Sequence, residues 1–178
     1  STGPISSRAE YACGVSVPFF SGVAVKRAVS PQEAYVAVKA AFVAHARGEW
    51  TMQPKLYVTN YPAGDFRAMP ALGGGHALLK WVTSFPGNPA KGLPTVTGLV
   101  LLSNADTGQL EAVLDAAGVT ALRTAAAGVI AAETLCRPGA ESTAVVGCGV
   151  NGAETVRMFR ALGTDVLVWD IDSARAAA

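Results

Sequence analysis

A strand-to-helix switch built on three glycines constrains this chain more than any other stretch. Val145-Val146-Gly147-Cys148-Gly149-Val150-Asn151-Gly152 runs from an apolar strand into G-x-G-x-x-G and on into a helical pattern. In such a loop the first glycine makes the tight turn, the second lets backbone approach a phosphate, and the third lets helix pack on strand. The helix start supplies N–H groups and a partial positive charge, which suit a pyrophosphate. Alone the pattern is weak, because a tight glycine turn also joins strand to helix without a ligand. Two flanking features strengthen it. Ser142 to Val146 reads as a buried strand, and Asp170 closes the next strand, Val166-Leu167-Val168-Trp169. A carboxylate there accepts hydrogen bonds from an adenosine ribose and repels a 2′-phosphate, favouring NAD over NADP. The candidate cofactor residues are Gly147, Gly149, Val150, Asn151, Gly152 and Asp170.

The rest of the chain has a different texture. Ser30-Pro31-Gln32-Glu33 is a capping box with proline at the first helical position. Ala34, Val38, Ala41 and Phe42 then recur at helical spacing, and Gly48 stops the run. Strand-like segments follow at Lys55–Thr59, Asp65–Ala71, Ala77–Ser84, Thr95–Ser103 and Gly108–Leu114, separated by Gly, Pro and Asn turns. Asn104 to Gly108 is expected to close a hairpin. This block predicts an antiparallel or mixed sheet flanked by one helix. An Ala-rich helix from about Ala116 to Leu135 ends at Arg137-Pro138-Gly139, and the β-α-β unit begins beyond it. The fold class is therefore α/β: an N-terminal α+β domain over residues 1–115, then a linking helix and the first half of a Rossmann domain over residues 116–178. A doubly wound domain has two such halves, so the chain reads as truncated at its C-terminal end.

Composition narrows the function classes. Net charge is +1 and no Lys/Arg cluster is present, which argues against a nucleic-acid partner. No stretch approaches the roughly 20 apolar residues of a membrane span, and Ser1 to Glu10 lacks a signal pattern, so the expectation is a cytoplasmic protein. Hydrophobic residues make up 51% and charged residues 15%. That balance predicts apolar surface covered in an oligomer or by further chain. Cys13, Cys136 and Cys148 have no C-x-x-C spacing and read as buried reduced thiols. With only His45 and His76 besides, no metal site is expected.

Lys80 is the second point of interest, lying mid-strand among apolar neighbours in Leu79-Lys80-Trp81-Val82. A buried lysine near a cofactor can hold a carboxylate or exchange a proton. An edge-strand lysine that snorkels to water is the other reading, and spacing alone does not separate them.

Taken together, Gln53-Pro54-Lys55, Asp65-Phe66-Arg67-Ala68-Met69-Pro70, Lys80-Trp81-Val82, Gly92-Leu93-Pro94-Thr95, Asp115, Thr120-Ala121-Leu122-Arg123-Thr124 and Gly147-Cys148-Gly149 resemble the ornithine cyclodeaminase/mu-crystallin family. That family also holds archaeal-type alanine dehydrogenases and ketimine or imine reductases. The similarity covers roughly residues 20 to 178, in order. It implies that the first domain binds substrate and dimerises, so that the partners are a small amino acid or cyclic imine and a second copy of the chain. By position, Lys80 matches the lysine that contacts substrate carboxylate and takes part in proton transfer, and Arg123 matches the arginine gripping the same carboxylate. Thr95 and Thr124 match positions near nicotinamide and pyrophosphate.

Three departures bear on the resemblance. Lys55 stands where cyclodeaminases commonly have arginine, keeping charge but losing bidentate geometry. Ala125 follows Thr124 where glycine is frequent. The catalytic aspartate of the cyclodeaminases belongs to the second Rossmann half, which these residues do not include. The implied chemistry is hydride transfer from an amino-acid α-carbon to NAD, giving an imine that is hydrolysed, or attacked internally by a side-chain amine. A mu-crystallin-like binding protein or a bare dimer module is the non-catalytic alternative. Arg67 alternates with Met69 toward Lys80. It faces either the same pocket, where its charge repels a terminal ammonium and favours short neutral or acidic substrates, or solvent.

Overall fold

The computed structural model describes residues 8–10 and 16–177, and Cys13 lies outside them. The chain forms two compact units: residues up to Ala28 with Ala44–Val119, and Val29–Val43 with the chain from Thr120 onward.

The first unit is an eight-stranded mixed sheet. Its strands are β1 (Arg8–Glu10), β2 (Ser16–Phe20), β3 (Thr51–Met52), β4 (Leu56–Asn60), β5 (Gly64–Gly73), β6 (His76–Ser84), β7 (Val96–Asn104) and β8 (Leu110–Asp115). They lie in the order β1-β2-β8-β7-β6-β5-β3, with β4 also on β5. Only β2 and β8 pair in parallel. The five strands expected from turn spacing are all present, their ends within two residues of the expected ones. Between β5 and β6, Gly74 and Gly75 both have positive φ, at 60° and 78°, as a two-residue hairpin turn demands. The expected β7–β8 hairpin is closed by Asn104, whose Oδ1 accepts the N–H groups of Asp106 and Thr107 at 3.0 Å each.

Two elements differ from the sequence reading. The helix flanking this sheet is α1 (Gly22–Ala28), which packs on β2 and β8. A Cβ on Gly118 would sit 3.1 Å from the Gly22 carbonyl oxygen, so glycine there lets the two backbones approach. The capping-box helix, α2 (Pro31–Ala46), sorts almost entirely with the second unit, although the sequence reading placed residues 1–115 together. Its cap forms as expected: Ser30 N–H donates to Glu33 Oε2 at 2.8 Å, and Glu33 N–H donates to Ser30 Oγ at 3.2 Å. Long-range polar contacts draw it to its unit. The Gln32 amide donates to the Ala161 carbonyl at 2.9 Å, and the Tyr35 hydroxyl donates to Glu133.

Helix α3 (Ala116–Leu135) begins in the first unit and from Thr120 belongs to the second, which continues with β9 (Ser142–Val146), α4 (Val150–Ala161), β10 (Asp165–Trp169) and α5 (Ser173–Ala177). Asp115 caps α3, its Oδ1 accepting the Ala117 N–H at 2.7 Å. β9 and β10 pair in parallel over five residues with α4 as the crossover, the β-α-β unit expected from the glycine motif. Ala125, Ala126 and Val129 on α3, and Met158 on α4, are fully buried in this unit's core. Removing a side chain such as Met158 from water is worth about 1.5–3 kcal/mol. The cysteines correct the expectation of buried thiols. Cys136 is exposed and Cys148 half-buried, both free, because the first follows the end of α3 and the second sits in the glycine loop.

Candidate functional site

In the first unit the sheet register sorts the candidate residues by face. β6 lies between β5 and β7, so Lys80 is on an interior strand, opposite Met69 on one side and Val100 on the other. It is only 7% exposed. The edge-strand reading is thereby excluded. Arg67 lies opposite Val82 on β6 and opposite Tyr57 on β4. Directly opposed residues share a face and so do residues two apart, which puts Asp65, Arg67, Met69, Lys80 and Val82 on one face. Arg67 is diagonal to Lys80, a relation that spans about 7–8 Å between strands. Arg67 thus shares a sheet face with Lys80, with about a third of its side chain exposed.

The arginine is not a bare cation. Its Nε donates to Asp65 Oδ1 at 2.6 Å and its Nη2 to Asp65 Oδ2 at 3.0 Å, a two-pronged pair. The guanidinium carbon lies 5.5 Å from the Tyr57 ring centroid. Asp65 is 5% exposed, and the hydrogen bonds from Arg67 outweigh desolvation to hold its carboxyl below the usual range. The same bonds raise the Arg67 pKa. Sequence reasoning missed Asp65, although the signal was present. Asp65 and Arg67 are two apart on a strand, hence on one face, and a buried acid requires a partner.

Lys55 and Thr95 stand apart from that face in character. Lys55 is exposed in the connection before β4. Thr95 precedes β7, half-buried, and its carbonyl accepts the Phe85 N–H at 2.8 Å, closing the Phe85-to-Pro94 loop. The opposite sheet face is apolar, with Phe66 stacked on Trp81 at 5.8 Å between ring centroids.

In the second unit the glycine loop has the form its sequence demands. Gly147 takes φ +95°, which favours glycine, and its N–H donates to the Trp169 carbonyl at 2.7 Å. A Cβ on Gly152 would collide with the Gly147 carbonyl oxygen, so the third glycine seats α4 against the loop. Cβ positions at Gly147 and Gly149 point into open space, leaving room beside the backbone. Gly149 caps α4 without a side-chain bond, and the first intrahelical bond of the turn is Ala153 N–H to Gly149 O at 2.8 Å. The N–H groups of Val150, Asn151 and Gly152 therefore have no intrahelical acceptor. Val150 and Asn151 are exposed. Asp170 accepts the Cys148 N–H on Oδ2 at 2.6 Å and the Asp172 N–H on Oδ1 at 2.8 Å. The bonds from Asp172 and Cys148, in that order, lower its pKa.

Arg123 and Thr124 are consecutive on α3. Arg123 makes no ion pair among the described residues, and desolvation alone lowers its pKa. The guanidinium remains charged. The Thr124 hydroxyl is buried with no hydrogen-bond partner. An orphaned hydroxyl, open glycines and the start of a twelve-residue helix fit the polar groups of a dinucleotide. No group of three or more His, Cys, Asp or Glu that could hold a metal occurs among the described residues. Nor is any described helix long and apolar enough to cross a membrane.

A parallel β-α-β unit with a glycine cradle, joined to a mixed sheet carrying a buried lysine, defines a class of two-unit α/β proteins. The sequence profile of the Ornithine cyclodeaminase/mu-crystallin family matches residues 18–178, and the chain belongs to that family. It is 43% identical over 152 residues to an alanine dehydrogenase of Archaeoglobus fulgidus, covering 85% of this chain and 45% of that protein. Among solved structures, an archaeal alanine dehydrogenase dimer with bound NAD superposes with a TM-score of 0.82 at 40% identity, covering 90% of this chain and 51% of that one. A Thermococcus litoralis Δ1-pyrroline-2-carboxylate reductase, in complex with NADH and L-proline, superposes at 0.79 with 25% identity, covering 89% and 51%. The chain thus spans about half the length of these relatives.

Proposed function

We propose that this chain belongs to an NAD-dependent oxidoreductase or deaminase acting on a small L-amino acid through an imine. Residues 1–115 carry substrate binding and dimerisation, and residues 116–178 begin a Rossmann cofactor domain. The observation that carries the reading is Lys80, an ionisable side chain buried on an interior strand, with Arg67 diagonal to it on the same face.

Gly147, Gly149, Val150, Asn151 and Gly152 would hold the pyrophosphate through backbone, Asp170 the ribose, and Thr95 and Thr124 the remaining polar groups. When bound, NAD supplies a hydride acceptor for the substrate α-carbon. By resemblance to the family, Lys80 and Arg123 are each assigned to the substrate carboxylate, Arg123 by its planar fork, and Lys55 is assigned to substrate binding. Fixing the carboxylate orients the Cα–H bond, and orientation supplies much of the rate. Lys80 also takes or returns the proton exchanged at the substrate nitrogen. Alanine dehydrogenase-type deamination is the leading form, by similarity to the archaeal dehydrogenases. A ketimine or imine reductase running in the reverse direction is the second reading, supported by the likeness to the proline-bound reductase.

The apolar sheet face away from Lys80, with Leu56, Val58, Trp81 and Leu99 all at least 40% exposed, supports a homodimer. The test of the function is NADH fluorescence titration of the full-length protein, followed by initial rates with NAD and alanine, glutamate or ornithine. Saturable NADH binding with amino-acid turnover supports the proposal. Binding with no turnover in either direction would favour a mu-crystallin-like binding role.

A further inference from the structure

The Asp65–Arg67 pair carries an inference about selectivity that rests on the proposed function. Arg67 has five N–H donors. Asp65 takes one from Nε and one from Nη2, leaving three N–H groups on the guanidinium. The Tyr57 ring lies against the same group. Arg67 is therefore held in direction by a buried carboxylate, and its positive charge is met by an equal negative one on the same sheet face. A bare arginine on the face it shares with Lys80 would add an unmatched cation there and draw in a second substrate carboxylate. A paired arginine offers hydrogen bonds without that net attraction.

We propose that Asp65 is a specificity-determining residue: by neutralising and orienting Arg67 beside Lys80, it makes the site prefer amino acids with a small neutral side chain over those with an acidic one. Asp65 does not touch the reacting atoms in this account. It acts through Arg67, and substrate choice is where its effect is read.

The experiment compares kcat/KM for alanine and glutamate, with saturating NAD, in the full-length protein and its Asp65→Asn variant. The amide keeps the shape and removes the charge. The expected result is a rise of at least tenfold in the glutamate-to-alanine ratio. In the double variant Asp65→Asn/Arg67→Gln, the ratio should return to within threefold of wild type, because no unpaired cation remains. A purely structural role would lower both rates together and leave the ratio unchanged, and that result would overturn the inference. If Asp65→Asn does not fold by circular dichroism, Asp65→Ser, which also removes the charge, should still raise the ratio at least threefold, and no rise would count equally against it. Failure of wild type to turn over either amino acid would instead overturn the proposed reaction.

Discussion

The two units solve opposite problems with charge. On the sheet, two charged side chains are buried on one face: Asp65 is 5% exposed and Lys80 7%, and Asp65 meets Arg67 through two hydrogen bonds. In the glycine loop the work is done by backbone, and the one carboxylate, Asp170, spends both oxygens on N–H groups of Cys148 and Asp172. Side-chain chemistry distinguishes substrates, since it differs from one protein to the next. Backbone chemistry grips groups every dinucleotide shares. The contrast teaches that substitutions in the sheet should alter rate and substrate choice, whereas those in the loop should alter cofactor affinity.

Four substitutions sharpen this contrast. Lys80→Ala should have the largest effect, lowering kcat for amino-acid oxidation at least 100-fold in steady-state assays, because in the proposed reaction it removes both a carboxylate contact and a proton carrier. Retention of a tenth of the wild-type rate would mean that Lys80 is structural. Gly152→Ala comes next. Its Cβ collides with the Gly147 carbonyl oxygen, which cannot move without opening the loop. Overpacking of this kind costs about 1–3 kcal/mol. NADH affinity should fall roughly tenfold, with a lower Tm; wild-type affinity would show that the loop does not bind the cofactor.

Asp170→Ser should shift preference from NAD toward NADP by several-fold, since it removes the charge that opposes a 2′-phosphate. It also frees the Cys148 N–H, so NADH affinity should drop as well. Selectivity equal to wild type would contradict the ribose assignment. The smallest effect concerns pH. The folded-state pKa of Asp65 is depressed by Arg67, so its stabilising contribution is present above the unfolded carboxylate pKa and is lost as pH falls through the lower folded value. Denaturation of wild type and Asp65→Asn should therefore show a stability gap at pH 7 that closes in the acid range below about pH 4. A gap independent of pH would place the effect in packing.

Much of this was legible in the sequence, for local reasons. The capping box at Ser30, the hairpin at Asn104–Gly108 and the glycine loop are short-range signals, and each formed where the residues required. The five long strands were visible because turn residues punctuate them. What sequence hid was tertiary. Nothing in the periodicity of α2 says that Gln32 and Tyr35 find Ala161 and Glu133, more than 90 residues away, so its unit could not be read. β2 and α1 carry no clear pattern of their own. Arg67 was recognised but its partner was not. Judging Asp65 needed the face it shares with Lys80, and that depends on the register of β5 against β6.

The division of labour is tested most directly by NADH titration of Lys80→Ala beside wild type, both full-length, with intrinsic fluorescence as the signal. If the sheet serves substrate and the loop serves cofactor, the two dissociation constants should agree within twofold while the variant stays catalytically crippled. A tenfold loss of NADH affinity in Lys80→Ala would contradict it.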